Sequence, residues 1–216
     1  MTGKTNIRVG GGKVTVTLYG GKNEVVSYTG KASGSVTLNA NGTGTAALKK
    51  GSYTFTGGLS GFSRSAEISG EANVYVRPEH ILYWYGIVAQ TLTLDGNGRY
   101  DNPLVVYNDT NVTATLTTYD WTSGRFVLGT ASAIDITAYS RLKARAAKCS
   151  GNSFRTLGYA NDTDSERTGT DFTTPDLSEV TTSLASVRGS YYLGISGTTS
   201  NRQGLREINL YALWLE

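Results

Sequence analysis

The chain has 216 residues, 38% hydrophobic and 17% charged, with 27 Gly, 30 Thr and 3 Pro. Turn formers and β-branched residues in that proportion describe an all-β protein with room for one large or two small cores. A single histidine and a single cysteine exclude an intrachain disulfide and a His/Cys zinc cage, and the net charge of +3 is too scattered for a dedicated nucleic-acid surface.

Residues 1–12 read as a flexible polar lead-in without the apolar run of a signal peptide. An initiating Met followed by small polar residues leads to the expectation of a chain made inside a cell and released by another route. Gly10-Gly11-Gly12-Lys13 lacks the spacing of a phosphate loop and runs into a strand. From Lys13 the pattern alternates, with Val14, Val16 and Leu18 on one face and Thr15 and Thr17 on the other. Further strands are predicted at Val25–Tyr28, Ser35–Leu38, Thr43–Leu48, Ser52–Thr56, Ser63–Ile68 and Ala72–Val76, separated by turns such as Asn41-Gly42 and Gly57-Gly58. Seven short strands at this spacing describe a sandwich over residues 13–77.

Pro78 breaks the run, so residues 78–85 form a short junction, with Trp84 sealing it and His80 as a partly buried hinge residue. Residues 86–216 carry predicted strands at Thr91–Leu94, Leu104–Tyr107, Val112–Tyr119, Phe126–Leu128, Arg141–Ala147, Phe154–Tyr159, Tyr191–Ile195 and Leu205–Leu215. In the last, Ile208, Leu210, Ala212 and Trp214 fall on one face, which places Trp214 in the core. Eight strands suit a jelly roll. No run of 18 apolar residues occurs, so no membrane insertion is expected.

The run Gly34 to Ala46 with its Asn41-Gly42 turn, followed by Leu48-Lys49-Lys50-Gly51-Ser52-Tyr53-Thr54-Phe55, resembles the prealbumin-like or carboxypeptidase-regulatory Ig-type modules. Some members of that group carry a Lys–Asn crosslink formed beside a buried acid, and the formal candidates here are Lys13, Asn73 and Glu67, without the motif that usually presents the acid. In the second half, Asp135-Ile136-Thr137-Ala138-Tyr139-Ser140-Arg141-Leu142, with Tyr191 to Ile195 and Ile208 to Tyr211, resembles galactose-binding-like and carbohydrate-binding-module jelly rolls. This style of chain is similar to phage and prophage particle proteins. The resemblance implies an N-terminal Ig-like sandwich followed by a C-terminal jelly roll, in a noncatalytic tail, fibre or decoration protein, with a cell-surface adhesin or the carbohydrate-binding module of a larger secreted protein as the alternative. It further implies a location on the virion or, alternatively, on a bacterial cell surface, and partners among other particle proteins and surface glycans.

Chemistry-bearing residues are few. His80 has no Gly-x-Ser-x-Gly elbow to serve. A glycosidase would draw its two carboxylates from Asp95, Asp101, Asp120, Asp135, Asp162, Asp164 and Glu166, but most sit in turn contexts that favour backbone capping. Asp95-Gly96-Asn97-Gly98 and Asn161 to Glu166 gather oxygen groups, yet neither is an EF-hand loop, so no metal and no cofactor are expected. Tyr and Trp faces suit stacking on sugars. Tyr119, Asp120 and Trp121, where a predicted strand runs into a Gly turn, are the expected ligand-binding residues, with Tyr159, Asn161 and Asp162 joining from a second loop. Long edge strands poor in charge also lead to the expectation of a homo-oligomer, with a trimer as the first choice.

Overall fold

The computed structural model describes residues 12–97, 100–118, 124–150, 154–171, 176–199 and 204–216, and none of them is helical. The chain divides between Arg77 and Pro78 into two compact units, each with its own core.

The first unit has seven strands: β1 (Lys13–Tyr19), β2 (Val25–Gly30), β3 (Gly34–Thr37), β4 (Thr43–Lys49), β5 (Gly51–Gly57), β6 (Ser63–Ile68) and β7 (Ala72–Tyr75). They form a three-stranded sheet, β4-β1-β7, and a four-stranded sheet, β3-β2-β5-β6. Period-2 patterning makes this a sandwich: Val16, Leu18 and Val74 alternate inward from one sheet, and Val26, Tyr53, Phe55 and Ile68 from the other. The first and last strands lie side by side in parallel. Register removes the crosslink candidates. Lys13 faces Lys49, Asn73 faces Thr17 four residues further along β1, and Glu67 sits in the opposite sheet, accepting from the Ser52 hydroxyl. All three side chains are exposed, so no buried acid stands beside a Lys–Asn pair.

Glu24 closes one end of this sandwich. Its side chain is 0% exposed and gathers donors from two connections. Oε2 accepts from the Gly21 N–H at 2.7 Å, and Oε1 from the Leu59 N–H at 3.1 Å and from the Ser60 N–H and hydroxyl at 2.9 and 2.8 Å. Gly57 leaves room for it, since a Cβ there would lie 2.3 Å from Oε1. Glu24→Gln replaces one acceptor with an amide donor facing N–H groups and is expected to cost about 2 kcal/mol; Glu24→Ala orphans every donor and is expected to cost about 3 kcal/mol or more. Urea denaturation midpoints at constant m-value check both.

The second unit comprises β8 (His80–Trp84), β9 (Ile87–Val88), β10 (Leu92–Asn97), β11 (Tyr100–Tyr107), β12 (Val112–Thr118), β13 (Gly124–Thr130), β14 (Ile134–Asp135), β15 (Arg141–Ser150), β16 (Phe154–Ala160), β17 (Thr168–Asp171), β18 (Ser178–Ser183), β19 (Ser190–Thr199) and β20 (Gly204–Leu215). One sheet runs β10-β13-β19-β16-β17 with β14 beside β19. The other runs β11-β12-β20-β15-β18 with β8 beside β20 and β9 beside β8. The result is an all-β sandwich of antiparallel sheets around Leu116, Phe126, Leu128, Phe154, Leu157, Ile195, Ile208 and Leu210.

Several local expectations change. Opposite β15, β20 carries Tyr211 as an extra residue: Arg145 faces Ala212 while Ala146 faces Leu210. A one-residue bulge reverses the inward phase, so Leu213 and Leu215 join the large core cluster, while Trp214 is buried as expected, at 3% exposure, but outside that cluster. Trp214 instead packs edge-on to Trp84 at 5.5 Å, under Lys143 Nζ at 5.8 Å, and donates from Nε1 to Glu216 at 3.0 Å. Asp95-Gly96-Asn97 is the end of β10, not a cation loop, and pairs with Val127, Phe126 and Arg125. His80 is exposed at the start of β8, opposite Leu215, with its ring edge-on to Tyr139 at 4.9 Å.

Candidate functional site

Tyr119, Asp120 and Trp121 lie outside the described residues. Tyr159 is half-buried near the end of β16, edge-on to Tyr191 at 5.2 Å against the core. Asn161 and Asp162 follow it, both exposed. The strand ends on either side of residues 119–123 are anchored by Thr118 opposite Gly204 and Gly124 opposite Thr199, whereas Tyr159 faces Leu193. Thr199 and Leu193 are six residues apart on β19, about 20 Å at strand rise.

Residues 161–167 are held by a buried cation. Arg167 is 3% exposed. Its Nη1 donates to the carbonyls of Asp162 at 3.1 Å and Ser165 at 2.8 Å, its Nη2 donates to the Thr163 carbonyl at 3.3 Å, and its backbone N–H donates to the Ser196 hydroxyl at 2.9 Å. Gly169, Gly158, Gly194 and Gly129 form one row across β17, β16, β19 and β13, and a Cβ at Gly129 would lie 2.8 Å from Nη2. Burial pushes the guanidinium down to about 10, opposed by the carboxylates of Asp162, Asp164 and Asp95, so it stays charged at neutral pH. The carbonyls a cation would need in this segment already serve Arg167, and among the described residues no three His, Cys, Asp or Glu side chains converge.

Three of the candidate acids accept from nearby backbone N–H groups. Asp162 accepts the Ser165 N–H at 2.6 Å and hydroxyl at 2.7 Å, Asp135 accepts the Thr137 N–H at 2.9 Å, and Asp95 accepts the Gly96 N–H at 2.8 Å. The Ser165 hydroxyl and N–H together hold the Asp162 carboxyl below the usual range.

A different surface brings together groups that sequence reasoning missed: the outer face of β11, β12 and β20. Asn108 and Asn111 donate from Nδ2 to the Thr113 hydroxyl at 2.9 and 3.1 Å. Asn111 Nδ2 also reaches Asn209 Oδ1 at 2.9 Å, and the Thr113 hydroxyl donates to the same oxygen at 2.6 Å. Pairing sets Val106, Thr113 and Asn209 in one row and Leu104, Thr115 and Glu207 in the next. Leu104 and Val106 are exposed, while Asn111, Thr113 and Asn209 are half-buried. Alternation did carry a signal, since Thr113 and Thr115 flank core Ala114 and Asn209 sits between core Ile208 and Leu210, but cross-strand register was needed to join them. The first unit adds a shallow groove of about 420 Å³ lined by Thr29, Ser52, Thr54, Ser65 and Glu67 on the outer face of its four-stranded sheet.

No protein-family model matches the sequence, and no curated protein does. Among solved structures, a carbohydrate-binding module of the β-sandwich superfamily is similar with a TM-score of 0.45 at 15% identity, covering 89% of this chain and 84% of that one. DUF3823 family proteins from Bacteroides ovatus and Parabacteroides merdae align with TM-scores of 0.26 and 0.27 at 14% and 12% identity, covering 93% and 95% of this chain and 96% and 99% of theirs. These scores are low, and the fold stands on its own strand pairing.

Two outcomes follow from the Arg167 geometry. Arg167→Met leaves three carbonyls without donors and is expected to lower stability by about 3 kcal/mol, read from the thermal midpoint and calorimetric enthalpy. Because the folded Asp162 value is depressed, its stabilisation is present above the unfolded value of about 4 and fades as pH falls through the lowered one. Amide exchange at Ser165, corrected for the intrinsic pH dependence, is expected to quicken over that window.

Proposed function

We propose that this chain is a noncatalytic attachment protein, displayed on a phage-like particle or a bacterial surface, that holds a glycan on the outer face of β11, β12 and β20. The observation that carries the reading is the meeting of three carboxamides and a hydroxyl, from Asn108, Asn111, Asn209 and Thr113, on a half-exposed sheet face. Carboxamides offer donor and acceptor together at fixed spacing, which suits neighbouring sugar hydroxyls. The exposed side chains of Leu104 and Val106 beside them supply apolar contact for the C–H face of a ring. The capping roles of Asp95, Asp135 and Asp162 favour binding over hydrolysis.

A glycan array on the whole chain, followed by titration calorimetry of the best hit, tests the reading. Asn111→Ala is expected to weaken binding about tenfold, roughly 1.4 kcal/mol, with little change in thermal midpoint. A blank array overturns glycan binding altogether. Binding that ignores Asn111→Ala but is lost in Trp121→Ala moves the site to the connection after β12.

A further inference from the structure

We propose that β11 is a pairing edge for a second copy of this chain, joined antiparallel about a two-fold axis at Val106. β11 is the end strand of its sheet and pairs with β12 alone among the described strands. The hairpin fixes which of its backbone groups face outward. The Asn108 N–H donates to the Asn111 carbonyl at 2.8 Å, and the pairing continues as Tyr107 with Val112, Val106 with Thr113, Val105 with Ala114 and Leu104 with Thr115. Bonded pairs alternate along an antiparallel ladder, so Asn108, Val106 and Leu104 bond toward β12. The N–H and C=O groups of Val105 and Tyr107 point to the free side.

Side chains there leave the edge undefended. Leu104, Val105, Val106 and Tyr107 carry no charge, and Leu104 is 55% and Val106 40% exposed. Other end strands of these two sheets differ: β10 carries Asp95, β18 carries Glu179, β17 is four residues long and ends in Asp171, and β9 is only two residues long. On the N-terminal side, the irregularity between Asp101 and Leu104, with Asn102 at φ 52 and Pro103 lacking an N–H, confines pairing to the last four residues.

A second copy is the occupant that fits this short, neutral stretch. With the axis at Val106, the Val105 N–H meets the Tyr107 carbonyl of the second copy and the Tyr107 N–H meets its Val105 carbonyl; symmetry doubles both. Residues that face one another then lie on the same side of the sheet, as antiparallel pairing requires, and no charge opposes its like. Such an assembly closes at two copies rather than the trimer expected from sequence. It also deepens the glycan reading, on which this consequence rests. The row Asn209, Thr113, Val106 continues through the axis into its own copy, six strand positions spanning about 24 Å, with a carboxamide cluster at either end for one extended chain.

Sedimentation equilibrium on the full chain without glycan, from about 10 μM to about 1 mM, tests the edge, because a short strand pairing is small against a standard interface. The mass is expected to rise from 23.0 kDa toward twice that value. Val106→Lys sets two ammonium groups face to face and is expected to leave a monomer with an unchanged thermal midpoint. Val106→Glu does the same, and an equimolar mixture of the two variants is expected to restore the doubled mass. A wild-type chain that stays monomeric throughout, a Val106→Lys dimer, or a mixture that fails to associate each overturns the proposal. Because mass is read without ligand, this failure is distinguishable from that of the glycan reading, which Asn111→Ala tests by itself.

Discussion

Every buried backbone donor or acceptor must find a partner, and in a helix-free set of strands that requirement decides where the structure holds and where it stays open. Within the sheets, strand pairing meets it. Where strands give way to connections, one acidic and one basic side chain meet it, as acceptor and as donor. Glu24 collects N–H groups from the connections after β1 and β5, and Arg167 collects C=O groups from residues 162, 163 and 165. Each lies where glycine leaves space for it. On the free side of β11 the same requirement is met by solvent or by another chain.

Much of the fold was legible because period-2 alternation survives in short strands. Val16 and Leu18, Tyr53 and Phe55, and Ala114 and Leu116 all turn inward as their alternation directs. Alternation fails where a strand changes phase. Nothing around Tyr211 marks a bulge, since the extra residue is defined by the pairing of Arg145 and Ala146 across from it. β17 and β18 escaped for another reason: Thr168–Asp171 and Ser178–Ser183 are polar and present few apolar positions from which a period can be read. Asp95-Gly96-Asn97 looks like a turn because its composition is that of one, yet pairing with β13 draws it into a strand, and Gly96 is the residue that tolerates the Arg125 carbonyl, 2.3 Å from where its Cβ would lie.

The candidate site was less legible than the fold, and the reason is geometric. Asn108 and Asn111 lie in or next to a hairpin turn, where a carboxamide is ordinary turn chemistry. Asn209 is 98 positions away from Asn111. Nothing local to either distinguishes them. Aromatic residues draw attention because rings suit sugars, but most described rings here serve packing. Tyr159 leans on Tyr191, Phe126 on Phe154, and Trp84 on Trp214.

The bulge at Tyr211 ties these observations together. Before it, β20 turns Ile208 and Leu210 inward and leaves Asn209 and Glu207 on the outer face; after it, Leu213 and Leu215 turn inward and the outer face carries Ala212 and Trp214. One strand therefore turns hydrogen-bonding side chains outward over its first half and holds Ala212 and Trp214, both buried, on that side over its second, although strict alternation would have kept a single phase throughout. The polar half lies opposite β12 and, beyond it, the neutral edge of β11. The aromatic half lies opposite β8. A continuous inward phase from Ile208 to Trp214 would instead have turned the indole ring toward Leu142 and carried Leu213 and Leu215 out of the core they now complete. The extra residue thus lets β20 complete the core on one side while keeping the carboxamide face and the tryptophan pair apart on the other.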